Sequence, residues 1–111
     1  MIAHIVLFNP KPDATDALLL SCAQLLDQLS REVPGLLRAN VGQSFPLDAG
    51  YPREFGEKTY RNVCIVEFDD KTSLLSYLNH PIHRELGRLF WDLCESAVIV
   101  ESEMMEAKSV G

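Results

Sequence analysis

Residues 2–8 read Ile-Ala-His-Ile-Val-Leu-Phe, and Asn9-Pro10-Lys11-Pro12 follow them. The run is rich in β-branched side chains, and a proline stops a strand ladder, so a strand followed by a loop is predicted. Successive side chains of a strand point to opposite faces of the sheet. One face of this strand would carry Ile2, His4, Val6 and Phe8, and the other Ala3, Ile5 and Leu7. Both faces are largely apolar, so both need a cover.

Outward from this strand, the chain alternates between strand and helix patterns. Apolar residues recur at helical spacing from Leu18 to Val33, with Asp13 or Thr15 as the N-cap. Val33-Pro34-Gly35 ends this helix. Three more strands are predicted over 36–41, 60–68 and 97–100, and a second helical segment begins at Asp69-Asp70, breaks at His80-Pro81 and resumes to about Cys94. A long loop over 42–59 separates the second and third strands, and loops of this length are often lids, partner arms or simply mobile.

The order β-α-β-β-α-β predicts an α+β protein with a ferredoxin-like antiparallel sheet and both helices on one face. Two helices cover one face only, and the uncovered face, to which we assign Tyr60 and Phe68, would be a large apolar patch. A second copy of the chain, packed sheet against sheet around a twofold axis, is the interpretation we favour. The alternative is that loop 42–59 folds over this face.

Length and charge limit the classes of function. The chain has 111 residues, which fits one domain over 1–101 with a polar C-terminal tail over 102–111. Its net charge is −6 and its ten basic residues are scattered, so neither nucleic acid nor a membrane surface is expected as a partner. No apolar stretch is long enough to cross a bilayer.

Three cysteines, Cys22, Cys64 and Cys94, fall within apolar patterns. Their number is odd, and no CxxC or zinc-like His/Cys spacing occurs, so no metal is expected. We interpret them as reduced, largely buried thiols of a cytoplasmic protein.

The segment Tyr77-Leu78-Asn79-His80-Pro81-Ile82-His83 holds two of the three histidines. Pro81 suits the first turn of a helix and disfavours the αR conformation at His80, so a break is predicted there. His83 would then lie in the first turn of the new helix, whose positive end favours neutral imidazole. Tyr77 and His83 form a candidate acid–base pair. The alternative is a helix corner whose polar rings are merely hydrogen-bonded.

Two other polar residues share strand faces with apolar neighbours. His4 lies on the face of Phe8, and Asn62 on the face of Val66. If these are the same side of the sheet, an apolar cavity acquires a few polar groups, which is typical of a small-molecule site. The alternative for His4 is a histidine satisfied within the core.

The chain resembles the stress-responsive dimeric α/β-barrel family over about residues 1–101. The resemblance rests on the opening strand with Lys11-Pro12, and on Val33-Pro34-Gly35, Val41-Gly42, Val66-Glu67-Phe68-Asp69 and the segment 77–83, in that order. It implies a homodimer whose two sheets form a barrel.

One branch of that family consists of plant polyketide cyclases of the olivetolic-acid-forming type. The resemblance implies catalytic roles for Tyr77 and His83, cavity positions for His4 and His80, and no cofactor. A further cavity histidine of that branch corresponds to Asn62 here, and loop 42–59 is longer than is usual in the family, so the substrate is expected to differ. Phe8 and Val66 are the apolar ligand contacts we expect beside these polar residues.

These observations lead to one functional hypothesis and three alternatives. The hypothesis is a small-molecule-binding barrel acting as a cofactor-independent cyclase or lyase on a polyketide-like substrate, with Tyr77 and His83 as acid and base. The alternatives are a non-catalytic stress-response or ligand-binding homodimer, a cofactor-free monooxygenase by analogy of fold, and a structural or regulatory dimer with a filled barrel.

Overall fold

The structure, a computed structural model, describes residues 1–47, 50 and 59–109. Its elements are β1 (Ile2–Pro10), α1 (Asp16–Glu32), β2 (Leu36–Gln43), β3 (Asn62–Phe68), α2 (Lys71–Asn79), α3 (Pro81–Leu93), β4 (Cys94–Glu103) and a 3₁₀ turn at Ala107–Ser109. The strand order is β2-β3-β1-β4, and all neighbouring strands are antiparallel. This confirms the predicted α+β, ferredoxin-like fold.

The helices cover the face of the sheet that carries the even-numbered residues of β1. On this face Ile2 and Val66 pack against Leu29 of α1 and Tyr77 of α2 in one buried cluster. A second cluster joins Val6 and Phe8 to Leu93 at the end of α3. Burying a large apolar side chain of this kind contributes about 1.5–3 kcal/mol. The core therefore lies between the helices and one side of the sheet.

The predicted position of Phe68 on the uncovered face, together with Tyr60, is wrong. Phe68 is fully buried beneath the helices, in the same cluster as Tyr77. Tyr60 lies before the start of β3, which begins at Asn62. Cross-strand pairing is the physical reason, because Phe68 lies opposite Ile2 and residues directly opposite one another share a face.

Three of the strands, β1, β2 and β4, are longer than the sequence pattern predicted, whereas β3 is two residues shorter. β1 continues to Pro10, which pairs with Cys94 where the β1–β4 register shifts, so its missing donor breaks no regular ladder. β4 begins directly at Cys94, where the backbone turns extended as α3 ends, and it continues to Glu103. The division into a domain over 1–101 and a tail over 102–111 stays a prediction.

The opposite face of the sheet is apolar at its centre, and none of the helices formed by the described residues lies on it. Its central side chains are Ile5, Leu7, Val63, Ile65, Val98 and Val100. Val98 and Val100 are exposed in the single chain, and the other four are half-buried. Toward the β2 edge the face becomes polar, where Arg38 pairs with Glu67. The predicted uncovered apolar face is therefore present, although its residues differ from those first assigned to it.

Two expectations concern segments that the structure describes only in part. Of the predicted loop 42–59, Gly42 and Gln43 belong to β2, and residues 48, 49 and 51–58 lie outside the described residues, so its role as a lid or an arm stays a prediction. Within the described ranges, no helix combines the length and apolarity needed to cross a membrane.

A glycine supports the corner between α1 and β2. Gly35 has φ +85, in the left-handed region that glycine tolerates. Its carbonyl accepts a hydrogen bond of 2.9 Å from the Asp69 N–H. The Ser73 hydroxyl donates to the Asp69 carboxylate, and a Cβ on Gly35 would overlap that hydroxyl oxygen. This corner ties the start of β2 to the connection between β3 and α2.

Gly35→Ala should therefore destabilise the fold. The left-handed backbone and the overlap with Ser73 both oppose a side chain, so a loss of more than about 1 kcal/mol in the free energy of unfolding is expected in a denaturant titration. Gly87→Ala is the matched control, because nothing lies within 4 Å of a Cβ there and the position is inside α3. It should raise stability by about 0.5–1 kcal/mol. Equal effects of the two changes would contradict this account.

Candidate functional site

The break between α2 and α3 brings Tyr77 and His83 together. The His80 Nδ1 accepts a hydrogen bond of 3.1 Å from the Ile82 N–H, and Pro81 occupies the first position of α3. Tyr77 therefore lies in the last turn of α2, and His83 in the first turn of α3. Their ring centroids are 4.7 Å apart at an interplanar angle of 61°. The predicted pair is thus in contact, and His80 acts as the cap of the helix that carries His83.

His4 joins this pair from the sheet. It lies at the centre of β1, is 5% exposed, and faces the helices. Its ring centroid lies 5.7 Å from that of Tyr77, in an edge-on arrangement. Tyr77 also packs on Phe68, with 5.2 Å between their ring centroids. This contact holds the Tyr77 ring against the sheet. Three of the predicted site residues, His4, Tyr77 and His83, therefore form one contiguous group.

Glu101 is a member of this group that the sequence analysis did not identify. It lies directly opposite His4 in the β1–β4 pairing, and its Oε1 is 2.5 Å from the His4 Nδ1. A signal for it was present in the sequence, since Glu101 follows the apolar run 97–100 at strand spacing from Ile99. Without the strand register, however, no pattern pairs it with His4.

A cleft of about 790 Å³ opens between the helices and the sheet and contains this group. A volume of this size lies within the usual range for small-molecule sites. His4, Phe8, Asn62, Tyr77 and His83 all line it, together with Glu101. The remaining walls come mainly from apolar side chains of α1 and α3, among them Leu19, Leu26, Leu86 and Phe90. The cleft is therefore an apolar space with a few polar groups.

Two predicted ligand contacts lie elsewhere. Val66 is fully buried in the core cluster and does not contribute to the cleft wall. His80 is half-buried at the helix corner, and it too is absent from the wall. Val66 does not reach the cleft because Tyr77 and other residues of the core cluster cover it. His80 does not reach it because its ring accepts a hydrogen bond from the Ile82 N–H and so caps α3.

Burial sets the protonation states of the acid–base pair. It raises the pKa of the Tyr77 phenol well above its ordinary value, and the nearby Cys64 and Glu101 raise it further. Burial also lowers the pKa of His83, an effect to which His4 adds and which a hydrogen bond to the Leu78 backbone opposes. The neutral state of His83 was predicted from its place at the start of α3, but burial is the main cause of the lowered pKa. At neutral pH the site holds a protonated phenol beside a neutral imidazole.

All three cysteines line the same cleft as free, half-buried thiols. Burial raises the pKa of Cys64 to about 11 and that of Cys94 to about 11, and it also raises the pKa of Cys22. Since the thiolate is the nucleophile, these thiols serve as apolar wall rather than as reactive groups at neutral pH. Their burial is less complete than the sequence pattern predicted.

The side chains of the site do not form a metal-binding group. Across the part of the chain that the structure describes, no three or more His, Cys, Asp or Glu side chains are grouped so that they could hold a metal ion. His4 is hydrogen-bonded to Glu101, whereas His83 contacts the ring of Tyr77.

Comparison with known proteins agrees with this architecture. The family model of the stress-responsive A/B barrel domain (Dabb) matches residues 2–104. A dimeric ferredoxin-like protein of unknown function from Jannaschia sp. CCS1 is 25% identical, with a TM-score of 0.75 over 93% of this chain and 98% of that one. No curated protein matches the sequence.

Two further solved structures share the fold at lower identity. A hydroxynitrile lyase from Passiflora edulis is 18% identical, with a TM-score of 0.75 over 96% of this chain and 94% of that one. A putative antibiotic biosynthesis monooxygenase from Nitrosomonas europaea is 20% identical, with a TM-score of 0.72 over 96% of this chain and all of the other. At these identities the likeness is one of fold.

The electrostatics of the site predict an unusual titration for His83. In an NMR pH titration its pKa should lie below the ordinary value of 6.5. His4→Gln removes the nearby imidazole, so the His83 pKa should rise in that variant while remaining below 6.5 because of burial. A His83 ring that titrates at or above 6.5 in the folded wild-type protein would contradict the buried, neutral state.

The same shift has a consequence for stability. Because the folded state binds the His83 proton less readily than the unfolded state, the free energy of unfolding should fall as pH is lowered from about 6.5 through the lowered pKa. His83→Gln should lack this part of the pH dependence, as comparison of denaturant titrations across that range can show.

Proposed function

Because the chain belongs to the stress-responsive A/B barrel (Dabb) family, we propose that its cleft binds a small apolar carbonyl compound and transfers a proton at the carbon beside the carbonyl group. Support comes from one observation above all: Tyr77 and His83 are in ring contact at the wall of an apolar cleft. A buried phenol and a buried neutral imidazole are matched as hydrogen-bond donor and proton acceptor.

In the proposed reaction, His83 accepts a proton from a carbon flanked by carbonyl groups. Tyr77 donates a hydrogen bond to the enolate oxygen that develops as this proton leaves. Positioned acid–base groups of this kind typically contribute about 10²–10⁴-fold to a rate. The reaction requires no metal or organic cofactor, since the electron pair moves onto the carbonyl oxygen and the proton moves onto the imidazole.

The shape of the cleft favours a flexible, polyketide-like substrate. About 790 Å³ of largely apolar space can hold a folded chain with its reacting carbons near Tyr77 and His83. Holding two reacting carbons together replaces a bimolecular encounter with an intramolecular one and supplies a large further rate increase. The enolate carbon would then attack a second carbonyl carbon, and the oxygen of that carbonyl would take the proton back from the His83 imidazolium, which closes a ring and gives a cyclase. In the reverse direction, His83 would take the proton of a hydroxyl group, the bond between the hydroxyl-bearing carbon and its neighbour would break to leave a carbonyl group, and the released carbon would receive the proton, which gives a lyase.

The Passiflora edulis structure supports the lyase form, because a protein described as a hydroxynitrile lyase has this fold. Asn62 lines the cleft where the cyclase branch has a histidine, so the substrate proposed here differs from that of those cyclases. The neutral asparagine amide offers a hydrogen-bond donor and acceptor but no titratable group.

Turnover should depend on His83 and Tyr77. With a neutral alkyl β-keto ester as probe, the wild-type protein should accelerate exchange of the hydrogens between its two carbonyl groups for deuterium, followed by NMR. His83→Ala should remain folded and abolish the acceleration, and Tyr77→Phe should reduce it by about 10²–10⁴-fold. The wild-type rate should rise with pH through the lowered pKa of His83 and then stay level, because the pKa of Tyr77 is raised.

His80→Asn is the control for this experiment. It removes a histidine at the same corner but keeps a side chain that caps helices well, so the exchange rate should be unchanged. Wild-type exchange in a folded His83→Ala protein would remove His83 from the mechanism. Binding of the keto ester without any exchange would instead favour the non-catalytic ligand-binding protein. Oxygen uptake with an electron-rich phenol would favour the monooxygenase that the Nitrosomonas europaea structure suggests.

We also propose that the protein is a homodimer joined through the uncovered face of its sheet. The six central side chains of that face are apolar, and contiguous apolar patches of this kind mark interfaces. The Jannaschia sp. CCS1 structure with this fold is described as dimeric. A cytoplasmic location stays a prediction, which rests on the three free thiols.

A charge on this face should separate the subunits. Val100→Glu places a carboxylate within the apolar patch, and burying it unpaired costs on the order of several kcal/mol. Light scattering after gel filtration should give the mass of two chains for the wild-type protein and of one chain for the variant. Leu75→Glu, at an exposed position of α2, is the control and should leave the dimer intact. A wild-type protein with the mass of one chain would contradict the proposal.

A further inference from the structure

Glu101 and His4 form a contact whose geometry determines the chemistry of the imidazole. The two residues lie directly opposite one another on β4 and β1, on the face covered by the helices. The distance from the His4 Nδ1 to the Glu101 Oε1 is 2.5 Å. The His4 side chain is 7% exposed, whereas that of Glu101 is 43% exposed. A carboxylate that reaches solvent thus holds one nitrogen of a buried ring.

The contact assigns a tautomer to neutral His4. A neutral imidazole carries one N–H, and an ionised carboxylate can only accept a hydrogen bond. The hydrogen must therefore be on Nδ1, which donates to Glu101, and Nε2 carries the free lone pair. The tautomer of a histidine is set in this way by the partner of its other nitrogen.

His4 is connected to the proposed base, His83, through the ring of Tyr77, which contacts both imidazoles. Its ring lies 5.7 Å from the Tyr77 ring, and the Tyr77 ring lies 4.7 Å from that of His83. Tyr77 thus contacts one imidazole from β1 and one from α3, and all three residues line the cleft. An acceptor nitrogen on His4 can receive a hydrogen bond from a hydroxyl group of a ligand in the cleft, whereas an N–H at that position could not.

We propose that Glu101 is a positioning residue that holds His4 in its Nδ1–H form and so presents the Nε2 lone pair to the Tyr77 side of the cleft. This inference rests on the proposed function where it concerns turnover, and on the hydrogen bond alone where it concerns the tautomer. A carboxylate that orients a histidine by accepting from Nδ1 is a recurrent device in acid–base sites.

The hydrogen bond satisfies the buried Nδ1–H of His4, which would be costly if it had no partner. The charge of Glu101 itself adds little to stability, because its side chain is 43% exposed. An exposed glutamate also needs no partner, because water satisfies its oxygens. What the contact changes is the state of the buried ring.

The test separates the hydrogen-bond acceptor from the charge. Glu101→Gln keeps an acceptor oxygen of the same reach but removes the charge, and Glu101→Leu removes both. In ¹H–¹⁵N correlation spectra of the neutral His4 ring, the wild-type and Gln variants should show Nδ1 protonated and Nε2 unprotonated. The Leu variant should shift toward the Nε2–H form. In the deuterium-exchange assay, the Leu variant should lose at least tenfold in rate, with the Gln variant between it and the wild-type protein.

Glu103→Gln and Glu103→Leu are matched controls, because Glu103 is two residues further along β4 and its carboxylate lies near Lys71 rather than His4. Neither should alter the tautomer of His4 or the exchange rate. An unchanged Nδ1–H tautomer in the Leu variant would overturn the inference, whether or not the protein turns over the keto ester. A shifted tautomer in the Leu variant, combined with no exchange in the wild-type protein, would keep the role of Glu101 and remove the proposed function.

Discussion

The alternation of side chains along β1 is the constraint on which the rest of the structure depends. Because this central strand is apolar on both faces, the sheet cannot leave either face in water without cost. α1, α2 and α3 cover the face of Ile2, His4, Val6 and Phe8, and the cleft forms where that cover is incomplete. The other face retains six apolar side chains, which is why a second copy of the chain is the cover we propose.

The short corner at His80-Pro81 brings the proposed acid–base groups together on this scaffold. Proline has no N–H to contribute to a continuing helix, and His80 supplies the cap that starts α3. The change in helix direction places Tyr77 and His83 ring to ring, although six positions separate them in the chain. Had one continuous helix run through this segment, residues at that spacing would not share a face. Local backbone chemistry thus places the two groups, and burial then sets their protonation.

Polar groups on the covered face are costly, and the structure satisfies them in pairs. His4 reaches Glu101 across the strand pair, and Asp69 and Ser73 bond to one another at the Gly35 corner. Within the described residues, no buried side-chain nitrogen or oxygen lacks a hydrogen-bond partner. The pairs differ in what they do. The Gly35 corner fixes the backbone, whereas the Glu101–His4 contact determines which nitrogen of a buried ring is available to the cleft.

The order and type of the elements, the two-faced character of the sheet and the helix break followed from the sequence by itself. Each of these depends on neighbours within a few positions: period two for strands, period 3.6 for helices, and the missing donor of Pro81. The pairing of Tyr77 with His83 could be predicted for the same reason. Strand ends, which depend on partners from distant segments, could not, as Pro10 and Cys94 show.

Only the tertiary structure decided which face of the sheet the helices cover, and with it the positions of Phe68 and Val66 in the core. The contact between Glu101 and His4, which are 97 positions apart in the sequence, also depends on the tertiary structure, as does the absence of His80 from the cleft wall. The physical reason is that both faces of β1 are similarly apolar, so local pattern does not distinguish them. The choice is made by the complementary surfaces of helices and strands that are far apart in the chain and meet only when it folds.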